Sequence, residues 1–171
     1  MKISIVIPTY KPQSYIWECL HSIVEQSFPR EEFEVIIVLN GCCSPWREEI
    51  ESFIATHMQG LNVRFIQTDE GGVSNARNIA LDNASGEYVT FLDDDDYISP
   101  RYLEELYTKA SPDTVSVCYP YAFNDGHAEI QLQNYGLNHV YEHFHHQTQN
   151  SISSAARRYF SGPCMKLISK D

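Results

Sequence analysis

No run of the chain approaches the ~18 consecutive apolar residues of a membrane-spanning helix, so no transmembrane segment is expected in it. The opening Met1-Lys2-Ile3-Ser4-Ile5-Val6-Ile7-Pro8 is too short for a signal-peptide core and ends in proline, not in a small-residue cleavage site. Positive charge is scarce: 12 Lys+Arg stand against 23 Asp+Glu, a formal net charge of −11. Such a surface repels phosphate backbones, and no nucleic-acid partner is expected. Five cysteines (Cys19, Cys42, Cys43, Cys118, Cys164) are an odd number without a CxxC spacing. They read as reduced thiols of a cytoplasmic protein, and vicinal Cys42-Cys43 as a tight loop of two small residues. Neither a GxGxxG turn nor a Walker loop is present: the turn after the first apolar run is Pro8-Thr9-Tyr10-Lys11-Pro12. Internal repeats and low-complexity linkers are absent as well.

What remains is enough for one domain of 171 residues, because 43% hydrophobic content supplies a core. Apolar, β-branched runs at Lys2–Ile7, Glu34–Leu39, Val63–Ile66, Tyr88–Leu92 and Thr114–Tyr119 read as strands. Helical spacing separates them. Ser14 is placed to cap a helix to about Gln26, with Ile16, Leu20, Ile23 and Val24 on one face. Ser44-Pro45 opens a second helix running to Gly60, with proline at its first position. Ser74–Ala84 forms a third, which Gly86 is placed to end. Ser99-Pro100 opens a fourth, burying Leu103, Leu106 and Tyr107. This alternation implies an α/β domain with a mainly parallel sheet flanked by helices on both faces. Ligands of such sheets bind at the carboxyl ends of strands, which singles out Pro8–Lys11, Asn40–Ser44, Thr68–Asn75 and Asp93–Tyr97. After about residue 121 the periodicity fades. Asn124-Asp125-Gly126 reads as a turn, His139, His143, His145 and His146 as a polar acceptor-side or surface segment, and Arg157-Arg158 as a solvated pair.

The acidic excess is uneven. Residues 1–110 hold 18 Asp+Glu and 8 Lys+Arg, net −10, whereas residues 111–171 hold 5 and 4, net −1. Its densest point is Asp93-Asp94-Asp95-Asp96, directly after a buried strand. Four like charges exceed any capping need and disfavour a strand. Carboxylates at a ligand-binding strand end suit a hard cation such as Mg²⁺ or Mn²⁺, which keeps positions open for phosphate oxygens. An EF-hand loop is excluded, because Ile98 stands where glycine is required and Pro100 follows. A DxDxT phosphatase would need threonine where Tyr97 stands.

Five segments occur in order: Ile5-Val6-Ile7-Pro8-Thr9-Tyr10, Ser22-Ile23-Val24-Glu25-Gln26, Glu34-Val35-Ile36-Ile37-Val38, Gly72-Val73-Ser74-Asn75-Ala76-Arg77-Asn78, and Ala84-Ser85-Gly86-Glu87-Tyr88-Val89-Thr90-Phe91-Leu92 running into the aspartates. Over roughly residues 1–110 the chain resembles the amino-terminal part of a family 2 glycosyltransferase of Rossmann-like GT-A fold. The resemblance implies one domain, with a nucleotide-sugar-binding half over 1–120 and the start of an acceptor-side region over 121–171. It implies inverting transfer of a sugar from a nucleotide-diphosphate donor, UDP-linked by expectation, to a saccharide or lipid-linked acceptor. Assembly of surface polysaccharide, at the inner face of the membrane or in peripheral contact with it, is the expected setting. Mn²⁺ or Mg²⁺ would sit on Asp93 and Asp95, between donor diphosphate and acidic protein. Pro8, Thr9 and Tyr10 would line the nucleoside pocket, with Gly72, Asn75, Arg77, Asp93 and Asp94 on the donor. Arg77 is open to a second role, as a salt bridge to the aspartates.

Two departures from the family pattern stand out. Leu39-Asn40-Gly41-Cys42 replaces the common Asp-Asp-Gly-Ser, so Asn40 is expected to meet the base through its amide. The family's general base commonly lies in a Glu-Asp pair. Gly162–Asp171 resembles the segment before that pair, so the catalytic base is expected beyond Asp171, in a longer protein. The alternative expectation is a donor-binding module or inactive relative.

Overall fold

The computed structural model describes residues 1–118 and 164–170. The expected turn at Asn124, the histidine cluster and the Arg157-Arg158 pair lie outside the described residues. Strands β1 (Ile3–Thr9), β2 (Phe33–Asn40), β3 (Asn62–Thr68), β4 (Tyr88–Phe91), β5 (Ser116–Val117) and β6 (Lys166–Ser169) form one sheet in the order β3-β2-β1-β4-β6-β5. The first four are parallel, and β6 runs antiparallel to both β4 and β5. Helices α1 (Tyr15–Val24), α2 (Trp46–His57), α3 (Val73–Asn83) and α4 (Tyr102–Tyr107) complete the described elements, with a 3₁₀ turn at Arg30–Glu32.

The period of two along each strand assigns its side chains to opposite faces. Ile3, Ile5 and Ile7 of β1, with Val35, Ile37 and Leu39 of β2, pack with Ile16, Leu20 and Ile23 of α1, Ile50 and Phe53 of α2, and Leu103 and Leu106 of α4. Val6, Ile36 and Val38 face the other way onto α3. There Ala76, Ala80 and Ala84 recur every fourth residue, and their small side chains seat the helix flat on the sheet. Helices thus cover both faces, as expected.

Local punctuation differs from expectation in five places. Pro8 does not end β1, which pairs with β2 through Thr9↔Leu39. The Val6 carbonyl accepts from Leu92 N–H, so Val6 and Pro8 present their polar groups toward β4, whose ladder has ended before Pro8. A missing N–H costs nothing there. Ser14 makes no capping hydrogen bond. Pro45 precedes the first residue of α2 rather than occupying it, and the Ser44 hydroxyl donates to Glu48 instead of capping. Likewise α4 starts at Tyr102, two residues after Pro100. Gly86 does not cap α3, which ends at Asn83; a Cβ on it would lie 2.6 Å from the Ser4 nitrogen. It is glycine because two backbones meet there. The expected fifth strand shrinks to two described residues, and β6 was not expected from the sequence at all.

At the amino ends of the strands Glu34 is buried, 1% exposed. Its Oε1 accepts from the Ser4 hydroxyl (2.7 Å), the Ser85 N–H (2.6 Å) and the Ser85 hydroxyl (2.8 Å), while Ser4 Oγ accepts from Gly86 N–H (2.9 Å). Burial pushes this carboxyl up, but the three donors outweigh it and hold the group below its ordinary range.

Candidate active site

The carboxyl ends of β1, β2 and β3, the start of α3 and the loop after β4 enclose a cleft of about 730 Å³. It lies where the strand order reverses between β1 and β4, the switch point of an open parallel sheet. Pro8, Thr9 and Tyr10 line it from β1, and Asn40 and Gly41 from β2. Asp69, Gly71, Gly72, Val73 and Arg77 line it from the β3–α3 segment, and Asp93, Asp94 and Asp95 from the end of β4. Of the residues assigned to the donor or the metal in the sequence, Asn75 alone is not among the lining groups; its side chain turns toward Glu70 (3.4 Å). Gly41 and Asp69, which lie in two of the strand-end loops named from the sequence but were given no role of their own, also line the cleft. The signal for Gly41 was its place at the end of an apolar strand, where its φ of +66° suits glycine. Tyr10 is half exposed, at 53%, and Lys11 lies over its ring.

The four aspartates occupy different surroundings. Asp93 is held at both oxygens: Arg77 pairs with Oδ1 at 2.8 Å, and the Cys164 thiol donates to Oδ2 at 3.3 Å. Burial, then the neighbouring Asp93, pushes that thiol up to about 12, so it stays a donor. Thr9 Oγ1 donates to Asp94 Oδ2 at 2.5 Å. Desolvation, opposed by the Thr9 bond and reinforced by Asp95 and Asp93, raises the Asp94 carboxyl. Partial desolvation and repulsion from Asp95 and Asp93 push Asp96 up to about 6. Asp95 is exposed and has no side-chain partner among the described residues. Among the described residues no group of three or more His, Cys, Asp or Glu is arranged around a common point. The chemistry of these carboxylates fits a hard cation, which would relieve the repulsion that adds to desolvation in raising Asp94 and Asp96. Cys164 was counted only as a reduced thiol. Its place beside Asp93 follows from β6, since its backbone bridges Phe91 in the sheet.

Arg77 takes the second of its two open roles, as an ion pair with Asp93. Its guanidinium also lies 5.9 Å from the Phe91 ring centre, and its Nε is buried without a partner among the described residues. Asn40, expected to face a base, has both ends of its amide engaged inside the protein.

A parallel sheet with a cleft at its switch point, a glycine turn feeding a helix and carboxylates on the next strand end together make a GT-A domain. The chain belongs to glycosyl transferase family 2, whose family model matches residues 4–170. It is 38% identical over 105 residues to the poly(ribitol-phosphate) beta-N-acetylglucosaminyltransferase TarS of Staphylococcus aureus, a stretch covering 61% of this chain and 18% of that protein. The crystal structure of S. aureus TarS in complex with UDP superposes with a TM-score of 0.57 at 36% identity, over 63% of this chain and 31% of that one. A mannosyltransferase from Pyrobaculum calidifontis, in complex with GDP-Man and Mn²⁺, superposes with a TM-score of 0.64 at 27% identity, over 69% of this chain and 35% of that one. The chain thus spans well under half the length of these relatives.

Among the described residues no helix is long and apolar enough to cross a membrane.

Proposed function

We propose that this chain forms the donor-binding part of an inverting, metal-assisted glycosyltransferase that takes a nucleotide-diphosphate sugar, UDP-linked by preference. The observation that carries the reading is one cleft lined by an exposed carboxylate, Asp95, together with Tyr10 and the Gly71-Gly72 turn. The aromatic face of Tyr10 and the glycine turn suit a nucleoside, and the amino end of α3 with a cation at the acidic loop suits its diphosphate. The family membership and the UDP complex of TarS support the donor class.

Asp95 would hold Mn²⁺ or Mg²⁺, with Asp93 fixed beside it by Arg77 and Cys164. Such an ion, when bound, neutralises the departing nucleoside diphosphate. This chain's own residues bind and orient. Tyr10 flanks the base, the glycine turn admits the nucleotide, and Thr9 holds Asp94 in place. The acceptor, saccharide or lipid-linked, supplies the attacking hydroxyl, and its proton passes to a general base outside the residues assigned here. The resemblance to a poly(ribitol-phosphate) transferase supports a surface-polymer acceptor. Calorimetric titration of UDP and GDP with and without Mn²⁺ tests the reading. Metal-dependent binding of at least one is expected, and no binding of either overturns it.

A further inference from the structure

Asn40 ends β2 and is 2% exposed, yet it belongs to the cleft lining. Its Nδ2 donates to the Thr9 carbonyl at 2.7 Å, and its Oδ1 accepts from the Gly72 N–H at 2.8 Å. One side chain therefore ties the end of β1 to the turn that opens α3. The two loops also approach each other closely. A Cβ on Gly41 would sit 3.0 Å from the Gly71 Cα and 3.3 Å from the Tyr10 ring. The Gly41 N–H in turn donates to the Thr68 carbonyl at the end of β3. Thr9 extends the tie to the acidic loop through its hydroxyl on Asp94.

We infer that Asn40 is a positioning residue that sets the width of the nucleoside slot, rather than a reader of the base. The assignment rests on the donor-binding reading above. An amide is the side chain that can do this, because it donates and accepts at once. Aspartate in its place keeps the acceptor for Gly72 N–H but turns a second oxygen on the Thr9 carbonyl, which opens the slot. A slot that loses its width weakens every nucleotide alike. A lost base contact would weaken one base selectively.

The test uses the full chain, UDP, CDP, GDP and ADP each with Mn²⁺, and the variants Asn40→Asp and Asn40→Ala. Both variants should bind each nucleotide that the wild type binds about tenfold more weakly, with the order of preference among bases unchanged. Amide hydrogen exchange at Gly72 reads the tie without any ligand. It should be slowed in the wild type and accelerated in both variants, including at temperatures where their melting shows them folded. A change in base preference overturns the assignment, and so does an unprotected Gly72 amide in the wild type. A wild type that binds no nucleotide but protects Gly72 overturns the functional reading and the slot-setting role, leaving the tie itself intact. The two failures are therefore distinguishable.

Discussion

The two ends of the sheet carry acids in opposite conditions. At the amino ends Glu34 is buried and receives three hydrogen bonds on one oxygen, and its proton affinity falls. At the carboxyl ends the proton affinities of Asp94 and Asp96 rise instead, because desolvation there meets few donors and neighbouring carboxylates add to it. What decides is whether hydrogen-bond donors answer the desolvation: three of them do so at Glu34, whereas at the aspartates like charges add to it.

The largest expected effect lies at the structural end. Glu34→Ala leaves the Ser4 and Ser85 donors facing no acceptor in the interior and should cost about 3 kcal/mol of stability in urea unfolding. An unchanged midpoint would erase the contrast between the two ends. At the open end Asp95→Asn should leave the melting temperature where it is, while weakening Mn²⁺-dependent UDP binding about tenfold or more. A stability loss there would show that Asp95 is structural after all.

Acid gives a finer test. The Glu34 carboxyl is depressed in the folded state, so its stabilisation is fully present above the unfolded value of ~4.3 and is lost as pH falls through the folded value. Unfolding midpoints of wild type and Glu34→Gln, followed from pH 7 to pH 3, should converge at the acid end. A gap that widens on acidification would reverse the assigned sign. The smallest effect concerns Cys164, which touches both the Phe91 side of the core and Asp93. If it steadies Asp93 as a donor, Cys164→Ser should keep metal-dependent nucleotide affinity and Cys164→Val should lower it by about threefold, roughly half the energy of a neutral hydrogen bond. The opposite ranking would assign it to packing.

Much of this was legible beforehand. Continuous β-branched runs located β1, β2 and β4, since strands buried on both faces need no polar alternation. The four strand-end loops named from the sequence are the ones that enclose the cleft. Punctuation was less legible. Pro8 stands inside a strand because its neighbour strand stops short, and Gly86 serves a close approach instead of a helix end. Neither fact has a local signature. The short β6, with Lys166 buried in it, was silent for the same reason: its partners β4 and β5 lie far back in the chain.

By itself the sequence determined the α/β alternation, the family and the run of acids at the end of β4. Those follow from periodicity and from residue order, which are local properties. Only the tertiary structure decided how the acids divide: Asp93 clasped by Arg77 and Cys164, Asp94 held by Thr9, Asp95 left open. It also turned Asn40 inward as a tie between two loops. Hydrogen bonds between residues so distant in sequence exist only once the sheet order has brought their strands side by side.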